Sequence, residues 1–401
     1  MASTDKAPPS ASAPPIPAAN GRLVLAAAMT MALVLGSIHA FSVFLEPMEQ
    51  LFEAPRATVS LTYSFALVAL TAAVLFGHHV YARLTPPLFA TALLVTGAAG
   101  AAVAAFTFTL PLVWIGYGVM FGAANGFGYG YALQASAQAN PGSQGMAMGL
   151  VTAAYALGAF LFPVVFEAAI ARGGVAGGMT ALAVALLVAL PVIATLLYRS
   201  RFRFQVETAD SITGAVPAAS RIAILWIGYG TGVAAGLMAI GHATGIARAA
   251  GLSGWLVVAA PMAIAIANMA GSFIGGRLID RIDPKPVLTI LPVVSAMALY
   301  GLGILEAGIA VLAGLALVGF CYGAIIAAYP AAIAALYGAV AGIRIYGLVF
   351  TAWGTAGLIA PWFAGVLFDR SGNYGLALVL AGSLGMVSCL TSWLFGSRRA
   401  R

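Results

Sequence analysis

Residues 146–170, MAMGLVTAAYALGAFLFPVVFEAAI, and residues 345–368, IYGLVFTAWGTAGLIAPWFAGVLF, decide how this chain folds. Each is a predominantly apolar run, the first carrying one charge, Glu167, near its end, and roughly 20 such residues in a helix cross the ~30 Å hydrocarbon core of a bilayer. The two runs are also copies. Gly149-Leu150-Val151 returns as Gly347-Leu348-Val349, Tyr155 as Trp353 and Pro163 as Pro361, all at an offset of 198 residues. The same offset pairs Tyr131 with Tyr329, Gly77 with Gly275, Arg83 with Arg281 and Pro86 with Pro284. A register shared by the second, fourth and fifth spans of each half indicates a duplication. Copies of an even number of spans keep their orientation, so the halves should be parallel repeats about an axis along the membrane normal, with a pathway between them.

Composition agrees. Hydrophobic residues make up 62% of the chain and charged residues 7%, against ~25% charged in an ordinary soluble domain. Six apolar runs precede a polar connector carrying Arg199, Arg201, Arg203, Glu207 and Asp210, and six follow it. The predicted fold is an all-α integral membrane protein of twelve transmembrane helices in two six-helix bundles. Its parts are a tail (1–20), an N-terminal half (21–198), a cytoplasmic linker (199–220), a C-terminal half (221–396) and a second tail (397–401). The first tail is rich in Pro, Ala and Ser and lacks the order of a signal peptide.

The basic residues report orientation. With both ends inside, fourteen of the eighteen Lys and Arg fall on the cytoplasmic side, and only Arg56, Arg172, Arg248 and Arg370 lie outside. This bias predicts a multi-pass protein of the cytoplasmic (inner) membrane with both termini cytoplasmic. The net charge of +7 does not indicate nucleic acid, because the aromatics lie inside the apolar runs and not among clustered basic residues. Cys321 and Cys389 have no ligand spacing, and no metal or cofactor is expected. No Walker loop, HExxH or GxSxG occurs, and the Gly-x-Gly runs at Gly128 and Gly228 lie inside apolar helices with no preceding strand. Neither ATP-driven pumping nor enzymatic hydrolysis is indicated.

Twelve spans, a 6+6 repeat and a central basic loop resemble the major facilitator superfamily over nearly the whole chain. The segment Gly275-Gly276-Arg277-Leu278-Ile279-Asp280-Arg281 is similar to that superfamily's short Gly-x-Leu-x-Asp-Arg loop, while Gly77 to Arg83 keeps the Gly and Arg without the Asp. The resemblance implies a gating role for Gly275, Arg277, Asp280, Arg281 and Arg83, since charges at helix ends can latch two helices in one state and release them in another. Within the superfamily, Asn125 to Tyr131 and Tyr346 to Gly354 resemble the branch of oxalate/formate exchangers and monocarboxylate porters. Members of that branch commonly place an arginine in the eighth span and, in the oxalate exchangers, a lysine in the eleventh, where they hold carboxylates. The corresponding positions here are Ser272 and Trp353, which puts dicarboxylate exchange in doubt.

Polar groups inside a membrane are costly and are the first candidates for function. On the first span His39, Ser42 and Glu46 have helical spacing. His39 is a candidate for solute contact, and His39, Glu46 and His242 are candidates for proton coupling. Tyr155 and Trp353, midway along spans five and eleven, should both face the repeat axis if either does. With Tyr131, Tyr329, Tyr129, Tyr322, Asn268 and Ser272 they supply the apolar wall and few hydrogen-bond donors typical of a small-molecule site. The glycines at 118, 122, 126 and 130 suit close packing of the fourth span. The sequence therefore points to a secondary transporter of a small organic solute, monocarboxylate-like, working as a monomer in the lipid bilayer by proton-coupled or exchange transport. An exporter of amphiphilic compounds and a non-transporting sensor remain open.

Overall fold

The structure is a computed structural model describing residues 20–81, 83–140, 144–204, 219–304, 308–337 and 339–394. The N-terminal tail, most of the linker, the C-terminal tail and the side chain of Asp280 lie outside the described residues. All regular structure among the described residues is helical.

The first spans are α1 (Gly21–Phe52), α2 (Arg56–Phe76), α3 (Pro86–Ala105) and α4 (Leu110–Ala139). A continuous helical stretch of 57 residues, Gln144–Ser200, follows. Straight, it would be ~86 Å long, far more than a bilayer. It is two spans, because Gly173 and Gly174 leave helical geometry, Gly174 with φ 60°, a conformation open to a residue without Cβ. The halves of this hairpin are α5 (144–172) and α6 (175–200). The second repeat comprises α7 (Ala219–Gly241), α8 (Trp255–Arg281), α9 (Pro284–Ile304), α10 (Ala310–Tyr337), α11 (Ala339–Ser371) and α12 (Gly375–Leu394). The short helix Ala243–Ala249 caps the top of α7. Twelve crossings put residues 20 and 394 at one end of the bundle, here the terminal face. The loops after α1, α7 and α11 lie at the other, the distal face.

Each half is packed by close backbone approach, the main cohesive device where lipid gives no hydrophobic drive between helices. In the first half a Cβ at Gly122 would stand 2.6 Å from the Ala66 carbonyl oxygen, and one at Gly126 would collide with that of Leu70. In the second half Gly319 meets Ile264 and Gly323 meets Asn268 in the same way. Ala66 and Ile264 are 198 residues apart, as are Leu70 and Asn268. Gly122 and Gly319, and Gly126 and Gly323, are 197 apart. Helices α4 and α10 are therefore out of the sequence register by one residue. The cause lies within α4, where Trp114–Phe121 is a π-helix. A π-turn absorbs one extra residue without ending the helix, whereas α10 is α-helical throughout.

Two expectations change. Tyr131 and Tyr329 are not equivalent. Tyr131 packs against Tyr81, Phe89 and Phe204, whereas Tyr329 packs on Tyr229 of α7 and bonds Ser392 of α12 at 3.4 Å. The single helical face shared by His39, Ser42 and Glu46 is also interrupted, because Gly36–Phe44 is a 3₁₀ segment with 3.0 residues per turn in place of 3.6.

Candidate functional site

Between the halves, near mid-depth, lies an aromatic cluster built by equivalent bonds. The Tyr155 hydroxyl on α5 donates to Asn125 Oδ1 on α4 at 2.9 Å. Trp353 Nε1 on α11 donates to the Tyr322 hydroxyl on α10, also at 2.9 Å. Both donors and both acceptors fall at equivalent positions once the one-residue shift of α4 is counted. Asn125 in turn donates to the Leu35 carbonyl at 2.5 Å, which ties α1 to α4 and fixes which way Asn125 presents its oxygen.

Around these bonds stand the remaining members. His39 Nδ1 shares a hydrogen bond of 2.7 Å with the Tyr63 hydroxyl and sets its ring edge-on to Tyr155, centroids 5.6 Å apart. Tyr129 lies against Tyr155 at 4.7 Å and reaches Thr152 at 3.5 Å. Phe350 stacks on Trp353 with an interplanar angle of 5°. The Tyr322 phenol lies within electrostatic range of Tyr63, Tyr129 and Tyr155, so the two halves face one another here. His39, Tyr129, Tyr346 and Phe350 are partly exposed. None of these named residues carries a fixed charge, so the cluster offers hydrogen bonds and ring faces to a ligand.

The other sequence candidates are placed as follows. Ser272 donates toward Asn268 Oδ1 at 3.3 Å and the Gly323 carbonyl at 3.2 Å, so both line the α8–α10 contact beside Tyr322. Tyr131 and Tyr329 belong to aromatic groups nearer the terminal face. Arg83, Arg277 and Arg281 are exposed at that face, and Gly275 packs on the Ala324 backbone. Glu46 pairs with Arg248 across the halves at the distal face.

Polar contacts between the halves gather at this distal face, around Arg56, Asp369 and Tyr374, which the sequence did not single out, and around Glu46 and His242, which it did. The Asp369 carboxylate, at the end of α11, accepts from the backbone N–H of Arg56 at 3.1 Å and of Ala57 at 2.9 Å. It caps the N-terminus of α2, whose own preceding residue, Pro55, offers no side-chain cap. A helix start has orphan N–H groups and a partial positive charge, so a carboxylate fits it on both counts. Arg56 forms an ion pair with Glu49, lies 4.0 Å above the Phe368 ring, and donates to the Tyr374 hydroxyl at 2.8 Å. Burial pushes the Tyr374 phenol up to about 12 against the pull of Arg56, so the hydroxyl keeps its proton.

His242 completes the set. It is fully buried. Its Nε2 lies 2.8 Å from the Pro361 carbonyl oxygen and 3.4 Å from Ser60 Oγ, and its Nδ1 lies 3.1 Å from the Tyr374 hydroxyl. Thr244 donates to the Ser42 carbonyl at 2.5 Å. Below these contacts α11 lies on α2 through Gly365, Gly357 and Gly354, where a Cβ would come within 2.7, 2.8 and 2.6 Å of Ala57, Leu67 and Thr71. This seam runs ~21 Å along α2.

No protein-family profile matches the sequence, and no curated protein matches it. Solved structures do. The E. coli xylose transporter XylE in an inward-open conformation superposes with a TM-score of 0.72 at 15% identity, over 95% of this chain and 98% of that one. The nucleoside transporter NupG gives 0.70 at 13% identity, over 94% and 100%. A bacterial homologue of the human lysosomal transporter Spinster, inward-facing and unoccupied, gives 0.68 at 14%, over 96% and 95%. At such identities the likeness shows the fold alone, an all-helical membrane architecture shared with these transporters.

Proposed function

We propose that this chain is a secondary active transporter of the major facilitator type, moving a small organic solute between its two halves by alternating access. The observation that carries this reading is the pair of equivalent bonds, Tyr155 to Asn125 and Trp353 to Tyr322, meeting where the halves face one another. A solute held there would touch both repeats and be released when they rock apart on either side. With the termini cytoplasmic, as the basic residues suggest, the distal face is the outer one and the state described is closed to the outside.

For the solute we propose a monocarboxylate-like compound. Phenols, an indole and His39 can meet one carboxylate by hydrogen bonds, whereas a dianion in so dry a place needs a fixed cation. The lack of fixed charge in the cluster also favours a second reading, a neutral polar solute. Purified protein in liposomes, given labelled short-chain monocarboxylates, sugars or nucleosides with and without a pH gradient, tests both. Saturable uptake of a monocarboxylate that a proton gradient accelerates is expected. Saturable uptake of a sugar or nucleoside alone would select the second reading, and uptake of none would count against the carrier reading.

A further inference from the structure

We propose that His242 is a proton-binding site that releases the distal lock, so that acid on that side opens the seam between α2 and α11. The inference deepens the transporter reading and rests on it for its purpose, though not for its test.

The geometry fixes the protonation of the locked state. The Pro361 carbonyl can only accept, so Nε2 carries a hydrogen. A neutral ring then leaves Nδ1 as the acceptor for Tyr374, whose oxygen is already the acceptor for Arg56 Nη1. Every link has one donor and one acceptor: Arg56 to Tyr374, Tyr374 to His242, His242 to Pro361. Arg56 and Tyr374 belong to different halves, and so do Ser60 and His242. Adding a proton at Nδ1 inverts the middle link. An N–H would then point at a phenol oxygen whose own O–H must turn away, and a second cation would share that oxygen with Arg56. Like charges in a dry site disfavour one another.

The surroundings do not cancel this. The ionisable groups around His242 are Arg56 on α2, Tyr374 before α12, Tyr63 beside Gly241, and Asp369 on α11. Asp369 is committed to the N–H groups of α2, and Glu49 to Arg56. Glu46 and Arg248 satisfy each other at the rim. None of these carboxylates contacts the imidazole. Once the halves part, the ring meets water and titrates as an ordinary histidine near ~6.5. The sign follows. The lock excludes the proton that the open state accepts, so locking is fully favoured above that pH and weakens progressively as the pH falls below it.

The test uses spin labels on Glu53→Cys and Arg370→Cys, exposed residues flanking the seam, with Cys321→Ser and Cys389→Ser, in liposomes without solute. Lowering the pH from about 8 to about 5.5, which spans an ordinary histidine's titration, is expected to raise the long-distance population about fivefold or more. His242→Gln should make the distances independent of pH over this range. If that variant does not insert, Tyr374→Phe removes the donor to Nδ1 and should move the midpoint to higher pH. A parent protein that does not open in acid overturns the proposal. So does an unchanged pH response in His242→Gln, or an unmoved midpoint in Tyr374→Phe. A lock that opens in acid on a protein that carries no solute would sink the transporter reading and leave this one standing.

Discussion

Asp369, the last acidic residue of α11, caps α2 three hundred residues earlier in the chain, accepting from the backbone N–H of Arg56 and Ala57. Helix caps are usually local, supplied by the residue just before the helix. Here the cap comes from the other repeat, so the first turn of α2 is satisfied only while the halves are together at this face.

Replacing the cap should therefore shift a conformational balance. Asp369→Asn keeps the shape and weakens the interaction with the helix start by ~1 kcal/mol, a factor of about five in the closed-to-open ratio. Accessibility of a cysteine at Ser60 to a membrane-impermeant reagent should rise by that factor. Glu46→Gln, which breaks a half-exposed ion pair, should change it by less, since such pairs contribute ~0–1 kcal/mol.

Trp353→Phe keeps a ring against Phe350 and removes the N–H that Tyr322 accepts. The loss leaves a buried oxygen with one bond fewer and should cost ~1–3 kcal/mol. If the cluster binds solute, the apparent affinity for it should weaken tenfold or more, with insertion and yield nearly unchanged. An unaltered transport curve would remove Trp353 from the site.

Glycine substitutions should divide by their neighbours. Gly126→Ala drives a methyl into the Leu70 backbone, whereas Gly149 and Gly347 have nothing within 4 Å of a built Cβ. Overpacking of this kind costs ~1–3 kcal/mol. Detergent-solubilised Gly126→Ala should lose several degrees of thermal stability, and Gly149→Ala and Gly347→Ala should lose none.

The π-turn makes a less ordinary prediction. Deleting Val119, an exposed residue within it, should be absorbed by conversion of the segment to α-helix, with the Gly122 and Gly126 contacts kept. Deleting Leu317 from the α-helical α10 should abolish folded protein. Size-exclusion profiles of the two deletions decide the matter.

Much of the fold was legible because lipid imposes it. Apolar length and the repeat of Gly149, Tyr155 and Pro163 one half later are properties of a chain that must satisfy its backbone internally. The break between α5 and α6 falls at Gly173-Gly174, between the fifth and sixth apolar runs. The register slip in α4 was not, because one extra residue inside a continuous apolar helix leaves no polar mark. Tyr155, Trp353, Tyr322, Tyr129 and His39 were legible as rare hydrogen-bonding groups deep in apolar runs. Asn125, which joins Tyr155 to α1, had been read only as part of a motif. Arg56, Asp369 and Tyr374 were missed because each sits in a loop-like stretch where a charge or phenol looks solvated. Their contacts with one another span 312 or more residues, and only the exceptions to the charge bias, Arg56 and Arg248 among them, hinted at that face.

The central claim is that the halves must part at the distal face for solute to move. Cysteines at Glu46 and Arg248, whose side chains meet across the halves, can be joined by a short bifunctional thiol reagent in a background free of Cys321 and Cys389. Joined protein in liposomes should lose solute exchange and regain it when the linker is cleaved. Full-rate exchange with the two residues still linked would contradict the account.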